Sequence, residues 1–120
     1  MLETNTGSSI PVPDFTKNKP SYNLPSGTYY QITNNQEREG RNAKFDVTYG
    51  TDSSIAVTLL KEPLSSSRLA AEATLRDLLQ LPDATMCTLK IDLGVPYSIN
   101  QFYSGQNLGL SFCSDAVTLP

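Results

Sequence analysis

Apolar and polar residues alternate with a period of two in several short stretches of this chain. Phe45, Val47 and Tyr49 alternate with Asp46 and Thr48, and Ile55, Val57 and Leu59 alternate with Ala56, Thr58 and Leu60. Gly50, Thr51, Asp52, Ser53 and Ser54 lie between them and carry turn chemistry. Two alternating runs around such a turn predict a β-hairpin with one dry and one wet face. Upstream, the β-branched and aromatic run Thr28–Thr33 predicts a short strand, and the polar stretch Asn34–Asn42, with Glu37, Arg38, Glu39, Gly40 and Arg41, a loop of mixed charge. Downstream, Leu89, Ile91, Leu93 and Val95 alternate with Lys90, Asp92 and Gly94, and Leu108, Leu110 and Phe112 with Gly109 and Ser111. These predict two further strands, the first ended by Pro96.

Between hairpin and later strands the period changes. Pro63 suits a first helical position, and Leu64 to Leu81 contains neither Gly nor Pro. Leu64, Arg68, Ala71, Leu75, Leu78 and Leu79 recur at three- and four-residue spacings, while Glu72, Arg76, Asp77 and Gln80 are expected off that stripe. One amphipathic helix of about 16–18 residues follows, stopped by Pro82, with Asp83 capping a short turn through Met86. The order (β)ββαββ predicts an α+β, two-layer domain, with one helix on a mainly antiparallel sheet of four to five strands.

Residues 1–26 read differently. Pro11, Pro13, Pro20 and Pro25 fall among Ser, Thr and Asn, which predicts an extended arm or linker. Ile10, Val12, Phe15, Tyr22 and Leu24 punctuate it, and a purely solvating tail does not need them. The expected division is an arm at 1–26, one α+β domain at 27–114 and a tail at 115–120. An apolar-punctuated arm suits addition to a neighbour's sheet edge.

Composition narrows the chemistry. The 120 residues hold 9 basic and 12 acidic side chains, a net charge of −3, with no His and no Trp. Nucleic acid calls for clustered Lys and Arg and is not an expected partner. No apolar run approaches the roughly 18 residues of a membrane span. Lacking His, a Ser nucleophile would rely on Lys61 or Lys90, both expected on wet strand faces. No carboxylate pair, phosphate loop or dinucleotide fingerprint stands out. The chain is expected to be neither an enzyme nor the holder of a metal or cofactor.

Cys87 and Cys113 are the two cysteines. If strands 89–95 and 108–112 pair antiparallel, the start of one lies beside the end of the other. A bridge then fits the limit of about 7 Å between Cα atoms and is worth roughly 3–3.5 kcal/mol for a loop of about 25 residues. Two unrelated buried thiols are the alternative, and a bridge would mark an oxidising compartment. Met1-Leu2-Glu3 opens no secretory signal, so an exported protein would carry its anchor or signal on a longer precursor.

The stretch Phe45–Cys113 resembles an uncharacterised group of small exported, single-pass or signal-bearing proteins of uncultured small-genome bacteria. The likeness rests on Thr58-Leu59-Leu60-Lys61-Glu62-Pro63-Leu64, Arg68-Leu69-Ala70-Ala71-Glu72, Cys87-Thr88-Leu89-Lys90-Ile91, Val95-Pro96-Tyr97 and the run Phe102–Cys113. It implies an extracytoplasmic setting, with the two cysteines shared as a feature, and supplies no activity.

The aromatic and amide-rich loop after Pro96 is the candidate binding surface. Tyr97, Asn100, Gln101, Phe102, Tyr103, Gln106 and Asn107 combine rigid amphipathic area with adaptable hydrogen bonding. The alternative is that its rings fold over the sheet as core. The expected function is a non-enzymatic extracytoplasmic structural or adhesive domain, a filament subunit joined through its arm, with protein partners or itself. The competing reading is a small protein- or glycan-binding, or inhibitor, module acting through the 96–107 loop.

Overall fold

The computed structural model describes residues 2–4, 6–17, 19, 21–25, 27–32, 44–50 and 52–120. The expected loop Asn34–Asn42 and Thr51 of the hairpin turn lie outside them. Among the described residues seven strands and two helices follow in order: β1 (Leu2–Glu3), β2 (Ser9–Ile10), β3 (Ser21–Leu24), β4 (Gly27–Gln31), β5 (Phe45–Gly50), β6 (Ser54–Leu59), α1 (Leu64–Leu79), α2 (Asp83–Met86) and β7 (Lys90–Gly94). The architecture is α+β. One open five-stranded sheet runs β3-β4-β5-β6-β7, and β1 and β2 form a small separate antiparallel pair.

The hairpin forms as its pattern requires, with Val47 opposite Val57 and Tyr49 opposite Ile55. Beyond it, α1 is the crossover that brings β7 back parallel to β6, Ile55 beside Ile91 and Val57 beside Leu93. The rows Tyr30–Tyr49–Ile55–Ile91 and Val47–Val57–Leu93 thus share one face. α1 packs against β5 and β6. Its last turn closes at Gln80, in the left-handed region (φ 53°), whose N–H donates to the Arg76 carbonyl.

Among the described residues α1 packs on β5 and β6, and N-terminal residues cover further parts of the core. Leu2 is 1% exposed and belongs to the core, against which Ile10, Val12 and Phe15 also pack. Phe15 meets Tyr49 edge-on at 5.0 Å, Thr4 bridges to Leu89, and Lys90 Nζ donates to Glu3 Oε1 at 3.0 Å. The fifth strand also comes from this region, because Ser21–Leu24 forms a hairpin with Gly27–Gln31.

The strand expected at Leu108–Phe112 does not form. Leu108 and Leu110 are buried as their alternation implies, but the backbone bends away from the sheet. Leu108 N–H reaches the Leu93 carbonyl (2.7 Å), Cys113 N–H returns to the Leu110 carbonyl, and Gly109 takes φ +75°. A Cβ at Gly109 would lie 3.3 Å from Ala116 Cα, so the tight return suits glycine.

A second correction explains the first. Glu72, expected off the apolar stripe, is fully buried. It sits one turn beyond Arg68 and one before Leu75, on the face α1 turns inward. Its carboxylate accepts from Ser111 Oγ (2.6 Å) and Ser111 N–H (2.5 Å), taking the donor a strand partner would have used. Arg68 Nη1 donates to the carbonyls of Val117 (2.8 Å), Leu108 and Gly109 (both 3.4 Å). Burial draws its guanidinium below the ordinary arginine pKa, and Glu72 opposes that shift. Segment 108–117 is therefore held by side chains of the helix rather than by a ladder.

Cys87 and Cys113 form a disulfide, with Cα atoms 5.7 Å apart. The bridge joins the C-cap of α2 to this non-strand segment, not two paired strands. Alongside it, Arg76 forms a two-pronged contact with Asp83 (2.8 and 3.1 Å) and lies 4.9 Å over the Phe112 ring. Hydrogen bonding from Arg76 holds the Asp83 carboxyl below its ordinary pKa. Among the described residues no helix is long and apolar enough to cross a membrane.

Candidate binding surface

The chain leaves β7 at Val95 and turns at once. Pro96 fixes φ, and its carbonyl accepts from both Ile99 N–H (3.0 Å) and Asn100 N–H (3.1 Å). Asn100 Oδ1 then accepts from Tyr103 N–H (3.0 Å), and Ser104 Oγ donates to the Gln101 carbonyl. The loop is a sequence of short closed turns whose polar groups are largely satisfied internally.

This folding sorts the aromatics. Ile99 and Tyr103 turn inward and pack on the core. Tyr97 and Phe102 remain 66% and 79% exposed. The Phe102 ring stands edge-on to Tyr103, centroids 4.8 Å apart. Tyr103 thus serves as a plinth and Phe102 as the projecting group. The two readings of the rings, surface and core, each describe part of the set.

The amides divide in the same way. Asn107 closes the outer edge of β7: its Oδ1 accepts from Leu93 N–H (3.0 Å) and Gly109 N–H (3.1 Å), and its Nδ2 donates to the Ile91 carbonyl (3.3 Å). A side-chain amide here occupies the place of a neighbouring strand. Asn107→Ala leaves these backbone groups to water and is expected to cost about 1–2 kcal/mol, read from urea unfolding. An unchanged midpoint would disprove that role. Gln101 and Gln106 are exposed and remain available for contact.

The other predicted residues lie elsewhere. Ile10, Val12 and Phe15 are half-buried on this chain's own core, and Val12 and Phe15 line a small hollow with Leu2 and Tyr49. Tyr22 is half-exposed on β3, and Leu24 ends that strand opposite Gly27. A shallow groove lined by Ala56, Thr58, Asp92, Gly94 and Pro96 meets the foot of the loop. The burial of Glu72, one turn from the inward Arg68, is what the sequence reading missed. Its signal was the four-residue spacing of two opposite charges in line with the apolar stripe.

Among the described residues no group of three or more Cys, Asp or Glu side chains is placed to hold a metal ion. The chain matches no protein-family model, no curated protein and no solved structure.

Proposed function

We propose that this chain is a non-enzymatic, extracytoplasmic protein-binding module that engages its partner through Tyr97 and Phe102. The carrying observation is Phe102, 79% exposed yet fixed edge-on against a half-buried Tyr103. A large apolar ring held in water without a covering neighbour loses little entropy on binding, and such aromatics are the usual anchors of interfaces. The groove running from Ala56 to Pro96 supplies adjoining concave surface.

A protein partner is favoured over a glycan. Sugar hydroxyls need convergent amides beside the ring, but Asn100 and Asn107 are committed to backbone groups of this chain. The disulfide supports an oxidising compartment. The filament reading would require Ile10, Val12 and Phe15 to leave their own sheet, whereas the loop needs no rearrangement.

The test uses peptides selected from a random displayed library against the intact, oxidised chain. Their affinity is expected to fall about 100-fold or more for Tyr97→Ser/Phe102→Ser, with melting unchanged to within about 0.5 kcal/mol. Tyr103→Ser is expected to cost about 1–2 kcal/mol of stability instead. Peptides that bind the double variant as well as the parent would overturn the proposal.

A further inference from the structure

We infer that two copies of this chain join edge to edge through β3, antiparallel, into one continuous sheet with five strands from each copy, and that the assembly stops at two. Among the described residues β3 has a strand on one side only, β4. Alternate residues of such an edge direct their N–H and C=O groups outward, ready for another strand. Ser21, Tyr22 and Asn23 are exposed, Tyr22 at 50%.

Sheet edges are usually protected by a charge, a proline or a bulge. Ser21-Tyr22-Asn23-Leu24 has no charge and no proline, and Pro20 and Pro25 bracket it in the sequence. The opposite edge is closed within the chain, since Asn107 and Leu108 occupy the backbone groups of Ile91 and Leu93.

That asymmetry selects the occupant. A neutral strand gives a charged foreign strand nothing to recognise, but it opposes its own copy without like-charge contact. The nearest described charge is Lys19. Antiparallel pairing sends the two Lys19 residues to opposite ends, while parallel pairing would set them side by side. With β3 as the one open edge of the five-stranded sheet among the described residues, the contact is isologous, and an isologous contact closes at a dimer. On the same sheet face Tyr22 lies beside Tyr29, so the twofold brings together two tyrosine pairs.

Sedimentation equilibrium of the intact, oxidised chain tests this from about 1 µM to about 1 mM. A monomer–dimer equilibrium is expected, weakened about tenfold or more by Tyr22→Lys, whose melting temperature should match the parent. Asn23→Pro, which removes an edge N–H without adding charge, should weaken it likewise. A monomer throughout, growth beyond two, or a dimer unaffected by both variants would overturn the inference. Phe102→Ser separates it from the loop proposal: the dimer should persist, and its loss would place the contact on the loop and overturn the β3 interface.

Discussion

Glu72→Ala is expected to destabilise the protein by about 2–4 kcal/mol, the cost of removing a fully buried carboxylate that accepts two hydrogen bonds and acts electrostatically on Arg68. The loss has two parts. Ser111 N–H and Oγ lose both carboxylate oxygens, at 2.5 and 2.6 Å. Arg68, 6% exposed and bonded through Nη1 to three carbonyls, loses its counter-charge. Glu72→Gln keeps one oxygen for Ser111 N–H but not the charge, and should fall about halfway. Urea unfolding of the oxidised protein reads both values. A Glu72→Ala midpoint close to that of the parent would mean that segment 108–117 is held by its apolar contacts alone.

The disulfide should weigh about as much. Cys87 and Cys113 are 26 residues apart, and closing such a loop removes about 3.5 kcal/mol of unfolded-chain entropy. Replacing both by Ser is therefore expected to lower the melting temperature by roughly 10–15 °C for a domain of this size. Reducing the parent should reproduce the shift, and reducing the double variant should change nothing. If both proteins melt alike before and after reduction, the bridge contributes no stability. The bond ties down the same segment that Glu72 holds, so these two effects define what keeps the non-strand C-terminal part of the core in place.

Local pattern carried a large share of this fold. The hairpin at 45–59 and the helix from Leu64 follow from two periodicities, because each dry face had one place to go. The same alternation misled at Leu108–Phe112. Burial of Leu108 and Leu110 fixes which side chains face inward, not what their backbone pairs with, and a carboxylate from the helix took the Ser111 N–H first. The candidate loop was visible by composition. Its division into plinth and projecting ring was not, because Tyr103 and Phe102 differ only in which way closed turns aim them.

The order of hydrophobic and polar residues determined the α+β class, the helix, most of the strands and the two cysteines available to pair. Tertiary structure alone decided that Leu2, Ile10, Val12 and Phe15 pack on the core, that Ser21–Leu24 supplies the fifth strand and that Asn107 closes the far edge. These are contacts between residues distant in the chain, made where α1 leaves sheet surface and backbone donors uncovered. No local periodicity records which distant group will cover them.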